Sequence, residues 1–251
     1  MSSGAPTSPP APSSASPSGR SRPRVVSLVP SATESLMAWG VVPVACTRFC
    51  ERPELPHVGG TKDPDLAEII RLHPDLVVMC EEENLLAHHD ELVAAGLDTF
   101  TFHVDGVSDV APQLAALAEV VGVPFAGFEL PPAPAGPAVR RAFVPIWRRP
   151  WMTLSGSTYG SSLLDRLGIA NAFGDATVRY PEVTLEEAAA RHPDVVLLPT
   201  EPYPFKERHR AEVASVAPAE LVDGQDLFWW GTRTPAALAR LGDLLGRGVP
   251  G

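Results

Sequence analysis

Basic residues and cysteine are scarce in this chain, and long apolar runs are missing. Among its 251 residues, 20 are Lys or Arg and 30 are Asp or Glu, a formal net charge of -10 at pH 7. That balance argues against a nucleic-acid partner, which calls for a basic face, and against a polybasic membrane patch. Cysteine occurs three times, at Cys46, Cys50 and Cys80. This is no disulfide framework, and no CxxC or Cys/His pattern has zinc spacing. Cys46 and Cys50 share a loop; free thiols are expected there, with a single bridge left open. No stretch approaches the roughly 20 apolar residues of a membrane span. The N-terminal MSSGAPTSPPAPSSASPSGRSRPR lacks the apolar segment of a secretory signal, and Val44-Ala45-Cys46 follows a strand and a helix rather than a lipoprotein leader. A cytoplasmic location is therefore expected, or an extracytoplasmic one if translation starts elsewhere.

Catalytic signatures are also missing. Ser155-Gly156-Ser157-Thr158-Tyr159-Gly160 is not a GxSxG elbow, and Gly59-Gly60-Thr61-Lys62 lacks phosphate-loop spacing. The seven histidines yield no metal ligand. His73 and His192 sit in repeated His-Pro-Asp turns. His88 and His89 are adjacent and do not share a helix face. His57 and His209 have no evident partner.

What is present is an α/β pattern. With 45% hydrophobic residues the chain can bury one large core or two small ones. Residues 1–23 are Pro, Ser, Ala and Gly with late arginines, a composition expected to stay disordered. Val25, Val26, Leu28 and Val29 read as a buried strand stopped by Pro30. Ser31 then offers an N-cap, with Glu34 placed to close a capping box. Strands alternate with helices from there, which implies parallel pairing through right-handed crossovers. Pro64 suits the first position of a helix running to Leu72. A helix over 108–121 stops at Gly122 before a Pro-rich stretch, Pro124 to Pro137. A second unit follows, with a strand over 141–147 and a helix over 206–214. The boundaries expected are an N-terminal lobe over 24–106, a connecting helix and linker over 107–139, and a C-terminal lobe over 140–251.

The halves echo each other. Leu66 to Val78 matches Leu185 to Leu197, each a helix, then His-Pro-Asp, then an apolar strand. Acidic residues follow each strand, Glu81, Glu82 and Glu83 in one and Glu201 in the other. Two such lobes with facing strand ends form a cleft, a usual place for a small-molecule site.

SLVPSATE, GGTKDPDL, HPDLVV and EEEN in the first half resemble the helical backbone metal receptors of the periplasmic-binding-protein-like superfamily. IWRRPWMT, RYPEVTLEE, HPDVVLLPTEPYPFKERH and LVDGQDLFWWGTRT in the second half fit the same group, which includes vitamin B12-binding and iron-siderophore-binding proteins. The resemblance implies two Rossmann-like lobes with mostly parallel sheets, joined by a connecting helix, with ligand in the cleft and small hinge motion. It implies a non-catalytic substrate-binding protein for a metal chelate, cobalamin or another corrinoid first, with a transporter or chaperone as partner. Two departures stand out. The connecting helix stops early, and Cys50 is followed by Glu51-Arg52-Pro53 rather than by a His, so a Cys/His metal pair is not expected.

The candidate ligand-side residues follow from this frame. Pro30, Ser31, Ala32 and Thr33 form a wall at the first helix start. Arg48, Phe49 and Lys62 lie in loops on the same edge, with the two cations placed to meet an anionic group. Glu82, Glu83 and Glu201 line the strand ends. Trp147, Trp151, Tyr159, Tyr203, Phe205, Trp229 and Trp230 form an aromatic set able to stack on a flat macrocycle, with Trp229-Trp230 expected as an exposed loop pair. An enzyme acting on a chelated metal or tetrapyrrole in the same cleft, and a protein-interaction scaffold, are the alternatives.

Overall fold

The computed structural model describes residues 22–131 and 136–246. The tail over 1–23 therefore falls almost wholly outside the described residues. In the first half, β1 (Val25–Ser27), α1 (Pro30–Ala38), β2 (Ala45–Cys46), α2 (Leu66–Arg71), β3 (Leu76–Cys80), α3 (Leu86–Ala94), β4 (Thr99–Phe102) and α4 (Val107–Val120) follow one another. The second half runs through β5 (Arg140–Phe143), β6 (Pro145–Trp147), β7 (Trp151–Thr153), α5 (Tyr159–Arg166), β8 (Ile169–Asn171), β9 (Glu182–Val183) and α6 (Leu185–Ala190). It continues with β10 (Val195–Pro199), a 3₁₀ helix (Glu207–Glu212), β11 (Ala219–Val222), α7 (Gly224–Phe228) and α8 (Thr234–Leu244). The first sheet has the order β2-β1-β3-β4 and the second β8-β5-β10-β11, both parallel throughout. A small antiparallel sheet, β6-β7-β9, stands beside the second. No helix among the described residues is long and apolar enough to cross a membrane.

The matching strand orders make the second sheet a copy of the first, and the His-Pro-Asp turns show it bond by bond. The Asp75 carboxylate accepts the Arg24 backbone N–H at 2.7 Å, and the Arg24 guanidinium donates to the Leu72 carbonyl at 2.8 Å. Asp194 accepts the Arg141 N–H at 2.7 Å, and Arg141 donates to the Arg191 carbonyl at 2.8 Å. Each His turns its helix end through the left-handed region, with φ 44° at His73 and 50° at His192. The histidines thus serve as helix stops, and the aspartates tie the first strand of each sheet to the third.

Side-chain alternation along the central strands creates three apolar layers. Val26, Leu28, Val77 and Met79 face outward under α2 and α3. Phe143, Val196 and Leu198 face outward on the other side of the molecule, under α6. Their alternate neighbours, Val25, Val29, Leu76 and Val78 from one sheet and Ala142, Val144, Val195 and Leu197 from the other, belong to a single core shared by both halves. α1, α4, α5 and α8 fill it through Leu36, Leu114, Leu163 and Leu238, all fully buried. Trp230 of the second half lies with its ring centroid 4.4 Å from that of Phe102 in the first.

Several local expectations change. α1 begins one residue earlier than Ser31, with Pro30 in its first turn and Val29 as N-cap. The capping box does not form, and Glu34 is used elsewhere. Pro64 precedes its helix, because the Asp65 carboxylate takes the N-cap position by accepting the Glu68 N–H at 3.0 Å. The strand over 141–147 breaks at Val144, and the helix over 206–214 is a short 3₁₀ turn. α4 ends at Val120, with Gly122 at φ 68°. The connector then loses regular structure and returns over the first half, where Phe125 packs on Trp39 at 5.5 Å.

Asp75→Ala and Asp194→Ala each leave a strand-start N–H without its carboxylate. Each is expected to cost about 1–2 kcal/mol in urea unfolding, nearly additively because the sites are far apart. His73→Gly, by contrast, is expected to leave stability equal or higher, since glycine enters the left-handed region without strain.

Candidate functional site

Both sheets point their carboxyl ends at the same seam. β1 is followed by Pro30, β3 by Glu81 to Glu83 and β4 by His103 to Asp105; opposite them, β10 is followed by Thr200-Glu201 and β11 by Asp223. Glu82 and Glu201 hold the same place relative to the two His-Pro-Asp turns. Gly224 makes the second edge possible, because a Cβ there would stand 2.6 Å from the Glu201 nitrogen.

Polar contacts cross the seam at its rim. Arg179 pairs with Glu82 at 3.2 Å and Asp105 at 2.6 Å, and also donates to the Ser157 carbonyl. Arg233 pairs with Glu34 at 3.0 Å. Gln225 donates to Glu51 at 2.8 Å and accepts from Arg233 at 3.3 Å. The Thr232 N–H donates to Ser35 Oγ at 3.1 Å, and the Val107 N–H to Ser162 Oγ at 3.0 Å. Gly231, at φ 129°, lies so close that a Cβ would strike Ser35 Oγ.

Within this frame three carboxyl groups resist ionisation: Glu34, raised by burial against the opposing charge of Arg233, and two others. Burial pushes Glu83 up to about 8, helped by the charges of Glu82 and Cys50 and opposed by Lys62, with Glu201 adding to the rise. Burial also pushes Glu201 up to about 7; a hydrogen bond from Trp229 opposes this, while Glu51 and Asp223 reinforce it. Two of the cations nearby are already engaged. Lys62 donates to the Glu82 carbonyl at 2.6 Å, and Arg48 pairs with Asp63 at 3.1 Å while lying over the Phe49 ring at 4.7 Å. The seam can thus offer neutral or negative oxygen groups and an indole, Trp229, which Arg233 overlies at 5.4 Å. Among the described residues, no group of three or more His, Cys, Asp or Glu is placed to hold a metal ion.

The expected site residues fall into separate places. Pro30, Ser31, Ala32 and Thr33 are at the seam but buried, and Thr33 spends its hydroxyl among Ser27, the Val29 carbonyl and Cys50. Glu83 lies within charge reach of Glu82 and Glu201, and Trp229 borders Glu201. Arg48, Phe49 and Lys62 lie on the same edge, with both cations partnered. Trp230, expected to be exposed beside Trp229, is 4% exposed and belongs to the shared core. Consecutive residues leaving α7 point in different directions, so one tryptophan packs inward and its neighbour stays half-buried. Tyr159 is also buried in that core, its hydroxyl 3.0 Å from Thr234. Trp151, Tyr203 and Phe205 pack with the layer on the outer face of the second sheet, Trp151 stacked on Phe205 at 6.0 Å. Trp147, half-exposed, meets Tyr203 edge-on at 5.7 Å. The aromatic set is therefore three groups. Of two surface depressions, the one of about 490 Å³ is lined by Glu81, Asn84, Leu86 and His89 beside the carboxyl end of β3, and the one of about 380 Å³ by Phe173, Pro181 and Glu187.

Arg179, Gln225, Arg233 and Ser35 carry most of the cross-seam contacts and were not singled out from the sequence. Arg179, Gln225 and Arg233 lie within RYPEVTLEE and LVDGQDLFWWGTRT, but no spacing rule marks them as cross-seam residues. Only Glu201 had a usable signal, its place in the repeat, which also predicts a partner position at Glu82.

A family model described as periplasmic binding protein matches residues 25–130. The chain is 26% identical over 193 residues to the vitamin B12-binding protein of Salmonella choleraesuis, covering 70% of this chain and 72% of that one. The crystal structure of the periplasmic vitamin B12-binding protein of Vibrio cholerae superposes with a TM-score of 0.74 at 21% identity, over 89% of this chain and 96% of the other. The periplasmic heme-binding protein of the same organism gives 0.70 at 16% identity, over 88% and 98%. These likenesses show the fold. Their periplasmic setting runs against the cytoplasmic expectation, which was read from N-terminal residues outside those described.

Glu83 and Glu201 hold protons in the folded chain at pH values where the unfolded chain has released them. Stability is therefore expected to fall as pH rises from about 4.5 toward about 8. A Glu83→Gln, Glu201→Gln double variant should match the parent near the lower end and exceed it at the upper end, as measured by urea unfolding across the range.

Proposed function

We propose that this chain, a member of the helical backbone metal receptor superfamily, is a binding protein for an uncharged or cationic metal chelate, cobalamin or another corrinoid, held at the seam between its lobes. The observation that carries this reading is that two buried carboxyl groups, Glu83 and Glu201, follow the carboxyl ends of the two sheets within charge reach of each other, raised to about 8 and about 7. A corrin carries carboxamide side chains on its rim, which both donate and accept hydrogen bonds. A protonated carboxyl answers an amide carbonyl, and an ionised one answers an amide N–H. Haem carries two carboxylates, which such a lining repels unless cations are free to meet them. Arg48, Lys62, Arg179 and Arg233 are each committed to a carboxylate or carbonyl already. Trp229 supplies a ring beside Glu201 for contact with the macrocycle.

The ligand is bound and passed on without conversion, and the partner that receives it is a membrane transporter. Two features support this role. The extended shared core favours a receptor that opens by small movements, and the chain's relatives are described as binding proteins. A ligand must part the rim contacts of Arg179 and Arg233. The Arg179 pairs, partly exposed, are each worth roughly 1 kcal/mol or less, whereas the Arg233–Glu34 pair is largely buried.

Isothermal titration and absorbance difference spectra with cyanocobalamin, cobinamide and haemin test the reading. Both corrinoids are expected to bind at least ~10-fold more tightly than haemin, a gap of about 1.4 kcal/mol. Glu83→Lys combined with Glu201→Lys should narrow or reverse that gap. Equal or tighter haemin binding by the parent chain would overturn the assignment.

A further inference from the structure

The two edges of the first sheet differ. At β2 the Cys46 N–H donates to the Pro56 carbonyl at 3.0 Å and the Val58 N–H to the Cys46 carbonyl at 2.9 Å, so a returning loop completes the ladder. At the other edge, β4 pairs with β3 alone among the described residues. We propose that the β4 edge takes up, as an added strand, an extended segment of another protein that is apolar at alternate positions and basic at its ends.

The backbone fixes which groups are open. The Asp98 carbonyl accepts the Val77 N–H at 2.8 Å, and the Phe102 carbonyl accepts the Glu81 N–H at 3.0 Å. Even-numbered residues of β4 therefore turn their backbone groups toward β3, and Thr99 and Thr101 turn theirs to the open side. The His103 carbonyl is already taken by Gln113 at 3.1 Å, so the free ladder is two residues long. Native proteins blunt such edges with charge, proline or a bulge. Thr99-Phe100-Thr101-Phe102 has none of these. The sister strand β11 shows the contrast. Where β4 pairs Phe100 with Val78, β11 pairs Glu220 with Leu197 at the corresponding place in the repeat, and Arg210 holds Glu220 at 3.4 Å.

Side chains supply the selectivity. Thr99 and Thr101 pair with Val77 and Met79, so they share the outward face, while Phe102 belongs to the shared core. At Thr101 that face opens into the depression of about 490 Å³, which Met79, Leu85 and Leu86 also line. Leu86 is 73% exposed, and Val93, two turns further along α3, is exposed as well. A strand laid beside β4 directs every second side chain to this face, and an apolar one fills the depression. Charge then selects among such strands. From Leu72 to Val139 the chain has eleven Asp and Glu and no Lys or Arg, and this stretch contains β3, α3 and β4. Asp98 at the start of β4 and Glu81 beside its end are both exposed. His103, 2.6 Å from Glu81 and 3.2 Å from Asp105, answers only part of that charge. A second copy of this chain brings the same acids to the same edge and is repelled, whereas a segment with Lys or Arg at each end is matched.

The test uses the full chain, without any chelate, and two octapeptides of alternating leucine and threonine, one ended by lysines and the other by glutamates. In isothermal titration the lysine-ended peptide is expected to bind at least ~10-fold more tightly than the other, and less tightly as salt is raised. Amide exchange should slow at Thr99 and Thr101 with that peptide bound and stay unchanged at Cys46 on the covered edge. Thr101→Pro removes one open N–H at an edge position, where proline is tolerated. Leu86→Glu places a charge over the depression from an exposed helix position, so it serves even if the proline variant fails to fold. Each is expected to lower the affinity at least ~10-fold. No binding of the lysine-ended peptide, equal binding of both, protection that misses Thr99 and Thr101, or full affinity in Leu86→Glu would each overturn the proposal. So would a dimer of the free chain, seen in sedimentation, that protects the same two amides.

Discussion

One apolar layer, filled from both sheets at once, sets the relation between the two halves. Val25, Val29 and Val78 look into it from one side, and Ala142, Val195 and Leu197 from the other. Burial of this kind is worth roughly 1.5–3 kcal/mol for each large side chain. A hinge that separated the halves fully would expose all of it. The polar contacts of Arg179 and Gln225 lie at the rim, where each is weak, while the Arg233–Glu34 pair is more deeply set. The large term therefore fixes the angle between the lobes, and the small terms decide how tightly their edges meet.

That arrangement explains why carboxyl groups can be tolerated at the seam. Glu83 and Glu201 are displaced from water by a structure whose stability comes from elsewhere, and they adapt by retaining protons. Trp229 and Lys62 temper the displacement without removing it. The seam is thus chemically particular where the core beneath it is not. Any hydrophobic residue of suitable volume would serve beside Leu114 or Leu163, whereas the edge depends on the identity of a few oxygens and of Gly224, which has no room for a side chain.

Much of this was legible in the sequence because it is periodic. The repeat of helix, His-Pro-Asp and strand gave the two halves, and it placed Glu82 and Glu201 alike. The unbroken apolar runs of β3 and β10 gave strands buried on both faces. Other features were legible in kind but wrong in detail. Ser31 and Glu34 have capping-box spacing, yet Pro30 is already preorganised for the first turn, and Glu34 finds Arg233 across the seam. Trp229 and Trp230 are indistinguishable by composition; their different fates depend on the angle at which the chain leaves α7. Arg179 and Gln225 were not legible, because their partners are remote in sequence and no spacing rule connects them.

The His-Pro-Asp turns bear also on the order in which the molecule can assemble. Each ties its sheet together over a comparable stretch of chain, 51 residues from Arg24 to Asp75 and 53 from Arg141 to Asp194. Every strand pairing of the first sheet closes within the first half, so a chain emerging from the ribosome can set that register before the second half exists. What it cannot do is complete the cover of that sheet's inward face, where α1 and α4 are joined by α5 and α8 only later. During synthesis the first half would be an ordered sheet with part of its apolar side bare, and its safety would rest on the arrival of a second half built to the same plan.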